Sequence, residues 1–433
     1  ALAGILLIVP TYLLGRMLFG RQVGFSAAVL TQVLPVFAQV TSDGLSEGVY
    51  LLAVTTALMF GVRAARRPGV GPFLLTGVAV GITYLVRPEG LFVAAALGLV
   101  TVLLGAARKW PRDAALARLT ALAVGVGLVA GPYVIVIGRV TNKTTPLQMI
   151  SPGDAPKGPI WRGQPMSHRH EVHSTSNLLA VWWDEADDGG SSRLLWAVKG
   201  VVKETFKTAY YAPAVLGLLG LLAFRRRVFA DPGIAVLMFL AGLNAVVLVF
   251  MAMQKGYVSE RHTVLMASIL CLFAAAVAEP LTATLSRLPI VGRFWAGKYA
   301  APGLLLAIAV SALPATLKPL HQHRVGHKYA GEFLAKNVQP DDIVIDPFSW
   351  AEWFAGRSLR SIPSDPDPAV EKVRWVVMEP ITHEHPHSRL PRLEAGQQVV
   401  NDRNNPAAVA YHWPEDVPVE KAKVLVYKQV VKR

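Results

Sequence analysis

The 433 residues contain one cysteine and little charge. Cys271 alone allows no intrachain disulfide, and its place in an apolar run suits inert packing. Asp, Glu, Lys and Arg make up only 17% of the chain, where about 25% is usual in soluble domains. With 53% of the residues hydrophobic and gathered into runs, a soluble globular protein, a disordered tail and a collagen-like fibre are excluded. No phosphate-binding P-loop, no G-x-S-x-G nucleophile elbow, no zincin motif and no paired-cysteine metal site occur. No apolar run is rich in charge, as a proton pump would need. There is no signal-peptide pattern and no repeat relating the two halves.

What remains is hydrophobicity, 53% of the residues, gathered into runs. They lie at about 1–15, 22–40, 46–62, 71–87, 89–106, 115–138, 208–224, 233–253, 262–279 and 299–317. At ~20 residues per span this predicts an α-helical polytopic membrane protein of about ten spans. The expected organisation is membrane helices over 1–138, a loop with an amphipathic interfacial helix over 139–207, membrane helices over 208–319, and a small extracytoplasmic α/β domain over 320–433. The chain opens at Ala1 inside an apolar run, so a preceding segment is expected.

The net charge of +14 would point to nucleic acid in a soluble protein. Here it has another source. Alternate connections carry fifteen Lys and Arg residues, among them Arg63, Arg66, Arg67 and Arg225–Arg227. The short connections between them carry Arg87, Lys255 and Arg261 only. The positive-inside rule places the first set in the cytoplasm and the second outside. No nucleic-acid partner is expected.

The outer connections are polar in a second way. They hold Ser42, Asp43, Ser46 and Glu47, then Arg87 and Glu89, then Lys255, Glu260, Arg261 and His262. Carboxylates at span ends are costly unless solvated or paired. Ordinary interfacial polarity is one reading, and a polar site at the outer mouth of the bundle is the other. Such groups suit phosphate binding and general-base activation of a hydroxyl.

In the long loop, Asn142-Lys143-Thr144 is a formal glycosylation sequon, and Trp182 and Trp183 suit an interfacial belt. Residues 191–207 set Leu194, Leu195, Val198, Val201 and Val202 against Arg193, Lys199, Lys203 and Lys207, the pattern of a helix on a bilayer surface. In the tail, helical periodicity at Ala330, Phe333, Leu334 and Val338 stops at Pro340. Ile343–Ile345, RWVVMEP and KVLVYKQVV read as strands, and a short helix is expected around Trp350 to Phe354. His383, His385 and His387 alternate around a proline, which suits a solvated loop better than a metal site.

Four segments carry a resemblance. Tyr12-Leu13-Leu14-Gly15-Arg16-Met17-Leu18-Phe19-Gly20-Arg21, Pro35 with Ser42 to Glu47, Gly81 to Gly90, and Ser259-Glu260-Arg261-His262 are similar, in that order, to segments of membrane glycosyltransferases of the protein-mannosyltransferase type. These form glycosyltransferase family 39, of the C-type fold. The resemblance covers roughly residues 1–320. It implies a hexosyltransferase, mannosyltransferase-like, moving a sugar from a polyprenyl-phosphate donor to a protein, glycan or lipid acceptor, as in protein glycosylation. Arg261, Arg87 and Lys255 would bind the donor phosphate, with Glu89, Glu260 and His262 supporting and Asp43 and Glu47 as contributors. The family's main acidic motif lies between its first two spans. The first span here corresponds to the family's second, so the base is expected to lie outside this sequence and the chain alone is expected to be inactive. The family allows for a divalent metal, although no ligand set here demands one. A transporter or flippase of lipid-linked sugars is the competing function, and the Ala/Gly/Arg-rich composition favours a bacterial inner membrane.

Overall fold

A computed structural model describes residues 2–42, 46–140, 193–255, 258–287, 299–318, 324–339, 342–356, 372–380 and 390–431. It divides into two compact units, Ala1–Lys318 and Pro319–Arg433. Asp43, the sequon, Trp182, Trp183 and the three histidines of THEHPH lie outside the described residues.

The described part of the first unit is helical. Its helices are α1 (Leu2–Phe19), α2 (Arg21–Val33), α3 (Pro35–Ser42), α4 (Ser46–Arg66), α5 (Val70–Val86), α6 (Leu91–Ala106) and α7 (Arg112–Ile137). They are followed by α8 (Arg193–Thr208), α9 (Ala212–Phe224), α10 (Pro232–Lys255), α11 (Glu260–Leu285) and α12 (Ala300–Thr316). Among the described residues six helices are long and apolar enough to cross a membrane, or up to eight spans if each of two bent pairs counts as one. The chain is thus an integral multi-pass membrane protein, with six to eight spans supported by length against the ten expected. Every apolar run is helical, yet α5 and α12 have only 17 residues each. At 1.5 Å per residue that is about 25 Å, at the lower limit of ~17 residues for a span.

The two bent pairs have local causes. The run read as one span over 22–40 breaks at Leu34, where α2 and α3 meet at 68°. Pro35 has no N–H to donate and pushes the preceding residue out of the helical region, and Leu34 is extended at φ −71° and ψ 135°. The run read from 208 starts instead at Ala212, and the axis turns by 112° between α8 and the stretch that follows. The corner residues Tyr210 and Tyr211 both have left-handed backbones, at φ 58° and 52°.

The core of this unit centres on α11, which is apolar on every side and buried continuously from Thr263 to Ala278. Cys271 is fully buried there. Leu14, Phe37, Leu51, Phe73, Leu237 and Phe273 fill the same core. Small residues let helices approach closely. A Cβ at Gly77 of α5 would lie 2.3 Å from the carbonyl of Leu122 in α7.

The second unit holds a four-stranded sheet of β1 (Ile343–Ile345), β2 (Lys372–Met378), β3 (Ala407–Trp413) and β4 (Val424–Val431). The order is β1-β2-β4-β3, with β1 parallel to β2 and the other pairs antiparallel. Helix α13 (Val325–Asn337) places Ala330 and Leu334 against Trp375, Val377, Val424 and Val426 on one face. Helix α15 (Leu390–Val400), which follows the short α14 (Trp350–Phe354), places Leu393 against Val376 and Met378 on the other. With both faces covered, consecutive residues 375–378 of β2 are all buried. Asp346 starts α14 by accepting the backbone N–H groups of Phe348, Ala351 and Glu352.

Candidate functional site

Helix α4 fixes two ends of the membrane unit. At its start, Thr41 of α3 lies where a Cβ on Gly4 of α1 would meet its Oγ1 at 2.8 Å, and where one on Gly48 would meet its Cα at 3.1 Å. The beginnings of α1 and α4 and the end of α3 therefore converge. The turn from α5 to α6 joins them here: Pro88 holds Arg87 extended, and a short 3-10 turn over Pro88–Gly90 follows.

This turn aims Arg87 at the first turn of α4. Arg87 Nη2 donates to Glu47 Oε1 at 2.5 Å, and Nε donates to Ser46 Oγ at 3.3 Å. The guanidinium carbon lies 5.7 Å from the centre of the Tyr50 ring. Glu47 is buried, at 5% exposure, where an unpaired carboxylate would be costly. Its charge is also favoured by the N-terminal end of α4. A guanidinium has five N–H donors. Among the described residues Arg87 engages only Nε and Nη2, so Nη1 remains unused. Glu89 is half-buried, and its Oε2 is shielded from solvent with no hydrogen-bond partner among the described residues.

A second group sits where α8 ends and α11 begins. Lys207 Nζ pairs with Glu260 Oε1 at 2.5 Å. The hydroxyls of Thr208 and Thr263 are hydrogen-bonded to each other at 2.7 Å, and both lie within hydrogen-bond reach of the Glu260 carbonyl. His262 Nδ1 is 2.8 Å from Ser259 Oγ and accepts the Ser259 backbone N–H at 3.2 Å, so this histidine closes the cap of α11. This group lies at the same end as Glu47. Helix α10 starts beside Arg66, at the far end of α4, and runs back before α11 begins.

The residues named from sequence fall into three sets. Glu47 meets Arg87, and Glu260 meets Lys207 rather than its neighbour Arg261. Arg261 is exposed and forms no hydrogen bond or ion pair among the described residues. Lys255 ends α10, but its side chain, like Asp43, lies outside the described residues. Lys207 is read from sequence only as part of the amphipathic helix, because its partner is 53 residues away, and the pairing of Ser46 with Arg87, 41 residues on, is not visible there either. No three His, Cys, Asp or Glu residues cluster to hold a metal among the described residues. Glu47 is moreover already neutralised by Arg87, so these residues do not fit a divalent ion.

The other end of α4 carries a contrasting arginine. Arg66 grips Asp231 with Nε and Nη2, the Nε–Oδ1 distance being 2.9 Å, and also donates to the carbonyls of Met17 and Leu18. Asp231 accepts the Gly233 backbone N–H at 2.9 Å. Burial opposes its charge, but Arg66 and these N–H groups outweigh that and hold its carboxyl below the ordinary carboxylate range.

Residues 1–134 match the family model for dolichyl-phosphate-mannose-protein mannosyltransferase. Over that stretch the likeness to family 39 membrane glycosyltransferases is shown, and it includes Ser46, Glu47, Arg87 and Glu89. A search of curated proteins finds no match. Among solved structures, the apo oligosaccharyltransferase of Archaeoglobus fulgidus is similar at 16% identity and a TM-score of 0.43, covering 84% of this chain. This chain spans only 49% of that one. ArnT from Cupriavidus metallidurans bound to undecaprenyl phosphate is similar at 13% identity and a TM-score of 0.49, covering 99% of this chain and 82% of its own. Both scores lie below 0.5, and neither likeness assigns a residue or substrate here.

Proposed function

We propose that the chain takes part in transferring a sugar from a polyprenyl-phosphate donor to a protein, glycan or lipid acceptor. The reading rests on one observation. Inside the residues that match a lipid-phosphate sugar transferase family, Arg87 is fixed by Glu47 and Ser46 yet keeps donors unused. Transfer breaks the bond between the anomeric carbon and a phosphate oxygen, and the phosphate leaves with the electron pair. The acceptor hydroxyl attacks the same carbon and yields its proton to a base. Arg87 would donate to the phosphate as negative charge gathers on it, with Arg261 and Lys255 adding positive charge. Glu89 would act as a supporting residue, because its Oε2 is shielded from solvent and out of reach of an incoming hydroxyl. The apolar helices alongside give the prenyl chain a place to lie.

Binding of farnesyl phosphate to the purified chain tests the reading without requiring turnover. Arg87→Ala and Arg261→Ala should each weaken binding about ten- to hundredfold, since a charge-assisted contact contributes ~1.5–3 kcal/mol. Lysine at either position should recover part of the loss, because the planar fork is gone. Unchanged binding in Arg261→Ala would remove that residue and leave Arg87. Unchanged binding in both would overturn the site.

We further propose that this end faces away from the cytoplasm, on the charge alternation of the loops, and that the membrane is a bacterial inner membrane. Cysteine labelling should reach Ser42, Gly163 and Asp365 from one side and Arg66 and Arg226 from the other. Cys271 is buried and should stay silent. Labelling of the Arg66 and Asp365 positions from the same side would refute this topology.

A further inference from the structure

Helix α8 is attached to the membrane bundle at a steep angle. The next helix, α9, packs along the spanning helix α11, where a Cβ at Gly217 would lie 2.5 Å from the Leu270 carbonyl and one at Gly220 would lie 2.4 Å from that of Phe273. Between α8 and the stretch Ala212–Phe229, which begins with α9, the axis turns by 112°. With α9 alongside a span, α8 lies across the end of the bundle, close to the plane of the bilayer surface. Its position agrees: Ala197 and Val201 are buried against Leu248, Ala252 and Met253, at the last turns of α10. Tyr210 Oη fixes the corner by donating to the Ser311 carbonyl at 3.0 Å.

At ~100° per residue the surface of α8 divides into three adjoining sectors, each about 60–80° wide. Ala197, Val201, Thr205 and Thr208 are buried against the bundle. Leu195, Val198 and Val202 are exposed apolar residues and form the second sector. Lys199, Lys203 and Lys207 form the third, all exposed. Lys207 is paired with Glu260, whereas Lys199 and Lys203 have no hydrogen bond or ion pair among the described residues. An apolar stripe beside an unneutralised cationic stripe, on a helix in the plane of the bilayer, matches a surface of acyl chains topped by negative headgroups.

The geometry points to α8 as an anionic-phospholipid contact, with Lys199 and Lys203 holding lipid phosphates while Leu195, Val198 and Val202 dip among the acyl chains. The site is distinct from Arg87 and does not depend on sugar transfer. Each lysine near a charged bilayer contributes about 1 kcal/mol, roughly fivefold in lipid preference. A phosphate held this way is part of the bilayer rather than a free anion.

The test uses the whole chain carrying Val202→Cys labelled with bimane, Cys271 being buried, in bilayers containing dibrominated phosphatidylglycerol or dibrominated phosphatidylcholine. Both lipids should quench the probe, phosphatidylglycerol at a several-fold lower mole fraction. Lys199→Gln with Lys203→Gln should bring the ratio close to one, and arginine at both positions should preserve it. Salt at 0.5 M should shrink the preference by screening. Absence of quenching by either lipid would show that α8 is not on the bilayer. Equal quenching in the unmodified chain, or a preference untouched by the double glutamine change, would overturn the lysine contact. Loss of the preference on adding millimolar inorganic phosphate at constant ionic strength would reassign the lysines to a free anion.

Discussion

Arg66 and Arg87 each meet a carboxylate at opposite ends of the membrane unit, but they are held differently. Arg66 places Nε and Nη2 on Asp231 and turns to two backbone carbonyls at the end of α1, so all three of its nitrogens are engaged. Arg87 has one carboxylate and one weakly placed hydroxyl, with Nη1 left open. Saturation suits a fastener between α1, α4 and the entry to α10. An unsaturated fork at the mouth of a bundle suits recognition of something that arrives later. Net charge alone does not separate the two roles; counting engaged donors does.

Arg66→Ala should lose stability without losing ligand affinity. It strands the Asp231 carboxylate and two carbonyls, and should cost about 2–3 kcal/mol in unfolding experiments while farnesyl phosphate affinity changes little. Arg87→Ala should cost stability as well, because it strands the buried Glu47 carboxylate, but it should add the loss of affinity given above. A loss of farnesyl phosphate affinity in Arg66→Ala as large as in Arg87→Ala would break the contrast. Glu47→Gln sharpens it: the amide keeps a hydrogen bond to Arg87 but removes a negative charge near the phosphate, so farnesyl phosphate binding should tighten about three- to fivefold. The Asp231 carboxyl titrates below its ordinary value of 3.8, so its contribution is present above that pH and fades as pH falls through the lowered folded value. The acid limb of a stability profile, below roughly pH 4, should therefore flatten in Asp231→Asn. Ser46→Ala should have the smallest effect, about 0.5 kcal/mol or less, since its 3.3 Å hydrogen bond is exposed.

The apolar runs were legible because burial in lipid demands them, and all are helices. Their breaks were not, because Pro35 and the Tyr210-Tyr211 corner act through backbone geometry that hydropathy does not register. In the second unit, Ile343–Ile345 and the core of β2 stood out as β-branched runs. Strand β3 did not, since AAVAYHW alternates poorly and is half-exposed with a register shift between Val409 and Tyr411. At the candidate site the polar residues were visible individually. Which of them pair was not, because Arg87 reaches back 40 residues to Glu47 and Lys207 reaches forward 53 to Glu260. The choice of Lys207 over Arg261 is decided by helix packing between α8 and α11.

The break at Leu34 has a bearing on how the protein is made. Thr316 Oγ1 donates to the Val33 carbonyl at 2.5 Å, from 283 residues further along the chain. A carbonyl at a helix end within an apolar bundle needs a donor, and here the donor arrives with α12. At about 5–20 residues per second, synthesis delivers Thr316 roughly 15–60 s after Val33. Throughout that interval the bend between α2 and α3 must borrow a partner from water, lipid headgroup or insertion machinery. The kink is therefore a late-maturing joint. Ribosome-bound chains stalled before Thr316 should be more readily cleaved near Leu34 than chains released after α12 has entered.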